Sequence, residues 1–173
     1  MAAIVVMWTT TTLLALAFAA ANGTNDGWVN SHRYSYKLFE CNATFDEAES
    51  KCVAEGGHLA SIHDKKENEL IYKMAKTKTD PKTHNDFVWI GLRQVNWPKD
   101  KKWTWTDGTP VDFWNWAPSE PDNIERKEHC AQFYNLHKET VSNVPKCRCK
   151  KWNDYPCQSK MKFFICKRPD AEC

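Results

Sequence analysis

Thr44-Phe45-Asp46-Glu47-Ala48-Glu49-Ser50-Lys51-Cys52-Val53-Ala54-Glu55-Gly56-Gly57-His58-Leu59-Ala60-Ser61-Ile62 is the stretch whose reading decides the fold. Thr44 and Glu47 have the Thr-x-x-Glu spacing of a capping box, in which each side chain satisfies the other residue's backbone N–H at a helix start. Phe45, Ala48, Cys52 and Val53 then recur on one helical face, which points Cys52 into a core. Gly56-Gly57 supplies a left-handed exit. A second helix is expected over Asp64 to Ala75, where Leu70, Ile71 and Met74 recur at three- and four-residue intervals among charged positions.

Elsewhere the pattern is of strands: Tyr34, Tyr36, Leu38 and Phe39 before the first helix, Phe87 to Leu92 and Trp103-Thr104-Trp105 after the second, and Lys162 to Cys166 near the end. Asp107-Gly108 marks a turn. Thr109 to Cys149 is rich in Pro, Asn, Trp and charge and poor in periodicity, and loops this long in a compact domain usually carry function. Helices early and strands late make the fold class α+β.

The 173 residues carry a formal net charge of +2 and are 27% charged and 42% hydrophobic, which fits one domain and excludes a large multidomain enzyme. A balance so near neutral does not suggest nucleic acid as a partner. Eight cysteines in this length point to disulfides formed in an oxidising compartment. The leader agrees: residues 1–21 lack charge, are mostly apolar and end in small residues that fit Ala-x-Ala cleavage. They are read as a cleaved signal peptide, against an uncleaved anchor, which prefers about 20 unbroken apolar residues. The expected division is therefore 1–21 signal peptide, 22–30 lead-in and 31–173 folded domain, secreted, with no membrane span after cleavage. Secretion makes Asn22-Gly23-Thr24 and Asn42-Ala43-Thr44 glycosylation acceptors, Asn42 being the better placed.

Chemistry concentrates in Glu120-Pro121-Asp122, in Glu128 before His129-Cys130, and in Trp152-Asn153-Asp154 before Cys157. Four carboxylates and one amide are hard oxygen ligands suited to Ca²⁺, provided the loops fold back on one another. A cis Glu120-Pro121 bond would turn both flanking side chains to one side.

Taken in order, the anchors from Thr44-Phe45-Asp46-Glu47-Ala48 through Cys52, Gly56-Gly57-His58-Leu59-Ala60-Ser61-Ile62, Trp89-Ile90-Gly91-Leu92, Trp105-Thr106-Asp107-Gly108, Glu120-Pro121-Asp122, Glu128-His129-Cys130, Trp152-Asn153-Asp154 and Phe164-Ile165-Cys166 resemble a C-type lectin domain from about Trp28 to Arg168. The resemblance implies a double-loop, disulfide-stapled fold with two helices and a small antiparallel sheet, Cys52 bridged to Cys166 and Cys130 to Cys157. It also implies that Glu120, Asp122, Glu128, Asn153 and Asp154 ligate Ca²⁺ and bind sugar hydroxyls. The family's mannose-type pattern is Glu-Pro-Asn and its galactose-type pattern Gln-Pro-Asp; Glu120-Pro121-Asp122 fits neither, leaving the glycan partner open between mannose-type and galactose-type. An auxiliary Ca²⁺ site is not expected, because Asn123 and His129 stand where carboxylates would be.

Among nine tryptophans, Trp89, Trp103, Trp105, Trp114 and Trp116 match packing positions, and Trp97 is the exposed candidate for stacking on sugar. The pairing of Cys41, Cys147, Cys149 and Cys173 is open. A zinc reading of Cys147-x-Cys149 fits poorly with a secretory route. Lys146, Arg148, Lys150 and Lys151 either attract acidic glycans or offset the acidic cluster. Scattered histidines and the absence of Gly-x-Ser-x-Gly or His-Glu-x-x-His argue against an enzyme. The expected function is Ca²⁺-dependent carbohydrate binding, with several weak sites held together in a homo-oligomer considered. The alternative is recognition of a protein or mineral surface on the same fold.

Overall fold

The computed structural model describes residues 27–76, 81–136 and 148–170. The leader, Asn22, His137, Lys146, Cys147 and Cys173 lie outside these residues, and with them the readings made there.

Eight strands and two helices follow in the order β1 (Val29–Ser31), β2 (Tyr34–Ala43), α1 (Phe45–Ala54), β3 (His58–Leu59), α2 (Lys65–Ala75), β4 (Val88–Arg93), β5 (Thr104–Trp105), β6 (Cys130–Phe133), β7 (Trp152–Tyr155) and β8 (Met161–Pro169). Val29 and Asn30, assigned to the lead-in by composition, pair with Tyr36 and Ser35. The capping box forms as expected: Thr44 Oγ1 accepts from the Glu47 N–H at 3.3 Å, and Glu47 Oε2 accepts from the Thr44 N–H at 2.8 Å. Asp64 caps α2 by accepting from the N–H groups of Lys66 and Glu67. Gly56 takes the left-handed exit at φ +84°. One expectation for α1 fails. Phe45, Ala48 and Cys52 are buried, but Val53 is 53% exposed because it lies just past the edge of the buried stripe.

The sheet is larger than expected and mixed. Its order is β1-β2-β8-β4-β6-β7, with β3 on β8 and β5 on β4, and β4 runs parallel to β8. β6 lies within the stretch read as irregular; four residues between polar loops are too few to show a period. Two cores fill the space under the helices. α1 covers Leu59, Trp89, Met161 and Phe164, while α2 packs over Ile62, Ile90, Phe133, Trp152 and Ile165. Cys52–Cys166 ties α1 to β8, and Cys130–Cys157 ties β6 to the segment after β7. No helix among the described residues is long and apolar enough to cross a membrane.

Candidate functional site

Trp152 organises the ground beneath the acidic residues. Its indole N–H donates to Asn68 Oδ1 at 3.0 Å, and Trp105, Phe113 and Trp116 meet it edge-on at 5.6–5.9 Å. The backbone from Asn115 to Ala117 is tied to Trp152 by two hydrogen bonds, Trp152 N–H to Asn115 O and Ala117 N–H to Trp152 O. The chain leaves this anchor towards Glu120, and the Glu120-Pro121 bond is cis.

From there the loop is held by carboxylates. Asp154 Oδ1 accepts from the Asp122 N–H at 3.1 Å and its Oδ2 from the Asn123 N–H at 2.9 Å. Glu128 Oε2 accepts from the Ile124 N–H at 3.0 Å, and Asn123 Oδ1 accepts from the Glu128 N–H at 3.1 Å. Ser119, Asn123, Glu125, Arg126 and Lys150 all have positive φ without being glycine. Left-handed residues that L side chains disfavour are concentrated around this one loop, as is common where geometry serves a ligand.

Of the five predicted ligands, Glu120, Asp122 and Asp154 bring carboxylate oxygens within 4.8 Å of one another. Glu128 is buried beside them but turned onto the Ile124 N–H. Asn153, opposite Gln132 on β6, is buried and its amide nitrogen donates to the Asp154 carbonyl oxygen. Glu120 Oε2 is buried and has no hydrogen-bond partner, a costly arrangement unless a cation or donor completes it. Burial pushes the Glu120 carboxyl up to about 7, with the Asp122 charge adding to it and Arg148 opposing. Burial likewise pushes Glu128 up to about 7, and raises Asp154. The donor chemistry and the orphaned oxygen both suit a hard divalent cation.

Of the two readings of the basic run, the offsetting of the acidic cluster is met by Arg148. Arg148 Nη1 lies 3.3 Å from Glu120 Oε1 and donates to the Tyr134 hydroxyl at 3.0 Å. Lys150 pairs with Glu69 at 2.8 Å, and Lys151 donates to Asn115 Oδ1 at 2.7 Å. These members of the basic run are thus engaged with the domain itself, and among the described residues of the run only Arg148 touches the acidic cluster.

The tryptophans also differ from expectation. Trp97 is half-buried, its ring stacked on His129 at 4.9 Å with Lys101 Nζ 5.4 Å from its centroid. Trp114, assigned to packing, is 52% exposed, because the side chains on either side of it, Phe113 and Trp116, take the places against Trp152.

One histidine has a triad-like environment. His63 Nε2 lies 3.2 Å from Ser61 Oγ and Nδ1 2.7 Å from Asp112 Oδ1. Ser61 is fully buried, donates to Asp107 and accepts from Lys167, so its hydroxyl is a member of a closed network, inaccessible to substrate.

The Lectin C-type domain family matches residues 42–168. A C-type lectin galactose-binding isoform of Hoplocephalus stephensii is 33% identical over 91% of this chain and 94% of its own length. A C-type lectin mannose-binding isoform of Oxyuranus scutellatus is 30% identical over 81% of this chain and 80% of its own. Among solved structures, a calcium-independent type II antifreeze protein aligns with a TM-score of 0.63 and 30% identity, over 84% of this chain and 94% of that one. With the two helices, mixed sheet and both disulfides in place, the chain belongs to the C-type lectin domain family.

Proposed function

We propose that the protein is a secreted lectin that binds carbohydrate through Ca²⁺ held by Glu120, Asp122 and Asp154, with Glu128 and the Asn153 amide oxygen completing the set. The observation that carries this reading is the convergence of three carboxylates around the buried, unpartnered Glu120 Oε2. Bound Ca²⁺ supplies open coordination positions for two neighbouring sugar hydroxyls. Glu120 and Asp122 would accept hydrogen bonds from those hydroxyls, and the Asp122 backbone N–H is held by Asp154. No catalytic step is assigned to the chain.

Two similar relatives are named for galactose and for mannose, and Glu120-Pro121-Asp122 supports neither over the other. Both flanking residues accept and neither donates. Asp122→Asn adds an amide donor and is expected to shift preference towards mannose, read as relative retention on mannose and galactose resins. Unchanged relative retention would assign selectivity to other contacts. The proposal itself is tested by retention of the secreted protein on either resin in Ca²⁺ and release by EDTA. Exposed Asn42, beside a Cys41 that forms no disulfide among the described residues, is the proposed glycan site.

The second reading, recognition of a protein or mineral surface, draws on Arg148. Its pairing with Glu120 offsets part of the acidic charge without a metal, and one solved relative is named calcium-independent. Failure to bind Ca²⁺ in a direct titration would favour it.

A further inference from the structure

A second groove lies apart from the acidic cluster, between the loop entering β5 and the loop that follows it. It encloses about 660 Å³, within the range of ligand pockets. Trp103, Trp105 and Val111 line it, exposed Trp114 forms one wall, and Lys101 and Lys102 stand at it. Three observations point to a ligand. First, Trp114 leaves half its surface open to solvent although its neighbours Phe113 and Trp116 pack inward. An indole presented this way offers a flat apolar face of the kind that covers the C–H face of a pyranose ring. Second, Trp105, 2% exposed and packed edge-on against Trp152, fixes a second aromatic ring in the lining. Third, the lining contains two ammonium groups and no carboxylate, and the aspartates beside it in sequence are engaged elsewhere: Asp100 accepts from the Lys102 backbone N–H, Asp107 from Ser61 and Thr109, and Asp112 pairs with His63. Neither ammonium forms an ion pair among the described residues.

We propose that this groove binds an anionic saccharide, its ring stacked on Trp114 and its sulfate or carboxylate group against Lys101 and Lys102. The charge complementarity selects an acidic partner, and the flat exposed indole selects a sugar ring over an extended acidic peptide. Nothing in the groove belongs to the carboxylate cluster, so this binding is independent of Ca²⁺ and stands whether or not the sugar reading of that cluster holds.

The experiment is titration of the intact protein with dextran sulfate, neutral dextran and polyglutamate, each in Ca²⁺ and in EDTA. Dextran sulfate is expected to bind equally in both, and the other two polymers to bind much more weakly. Trp114→Ala should weaken binding by about tenfold, the order of one lost aromatic stacking partner. Lys101→Gln with Lys102→Gln should lower affinity and flatten its salt dependence. Glu120→Gln with Asp122→Asn should leave it unchanged. Because Trp114 and both lysines are exposed, these variants are expected to keep the wild-type circular dichroism and melting curve. Wild-type affinity in Trp114→Ala, release by EDTA, or loss confined to Lys150→Gln with Lys151→Gln would each overturn the proposal. Equal binding of polyglutamate would overturn the saccharide assignment.

Discussion

β2 and β8 pair from Tyr34–Pro169 to Ala43–Met161, with one irregularity, and α1 and β3 lean on that ladder through Cys52–Cys166. Between Asn115 and Lys127 no strand forms; the chain is held by carboxylates on backbone N–H groups, by left-handed residues and by rings around Trp152. The first region is ordered by repetition of one bond, the second by side chains each of which does a different job. A regular ladder tolerates the loss of a side chain at its surface. A loop whose backbone depends on Asp154 and Glu128 does not, and those same groups carry the charge on which the proposed metal site rests.

The change expected to break this contrast most severely is Trp152→Ala. Trp152 sits in the core under α2 and also anchors the loop, so its removal should cost about 3–5 kcal/mol and abolish Ca²⁺ binding together. Equilibrium denaturation and a Ca²⁺ titration check both effects. Replacing Cys52 and Cys166 by Ala acts on the ladder alone. It should lower stability by about 2–5 kcal/mol, since the bridge spans 114 residues, while the folded fraction keeps its Ca²⁺ affinity.

A smaller effect separates the regions by pH. Glu120 and Glu128 have carboxyls pushed to about 7 in the folded chain, against an ordinary 4.5. The folded state therefore holds protons that the unfolded state has released between these values. Their stabilising contribution is complete below about 4.5 and is lost as pH rises through about 7, so metal-free protein should melt lower at pH 8 than at pH 5. If the proposed site holds Ca²⁺, the metal should reverse the trend by favouring the ionised carboxylates, and its affinity should fall as pH drops from 7, with sugar binding lost below about pH 5. Melting curves with EDTA and with Ca²⁺ at both pH values test the sign. At the bottom of the scale, Val53→Ser on exposed α1 should change stability by no more than about 0.5 kcal/mol in a denaturation curve.

Legibility in the sequence followed the same division. The Thr44–Glu47 capping box and the Gly56 exit were readable because each is a local chemical rule, and the second helix because its apolar residues recur at helical spacing. Both bridges followed from the family resemblance, whereas the cis Glu120-Pro121 bond was raised only as a condition that would turn its flanking side chains to one side. The parallel pairing of β4 with β8 was not readable, since its partners are 75 residues apart and neither strand's composition reports the other. Arg148 was seen as part of a basic run, but its approach to Glu120 depends on how the loops fold back. Trp114 and Trp97 were misjudged for a similar reason: an aromatic residue in a loop carries no periodicity to say which face it shows.

The Asp170 N–H donates to the Arg33 carbonyl oxygen at 2.9 Å, beside the pairing of β1 with β2. The beginning and end of the described fold thus meet at one edge of the sheet, whereas β7, with Asn153 and Asp154, forms the opposite edge. A linker or surface attachment at either end would therefore act as a handle that leaves the edge bearing Asn153 and Asp154 clear. Copies fixed by that handle to a common support would all present the acidic cluster outward, converting weak individual contacts into a strongly retained array through high local concentration.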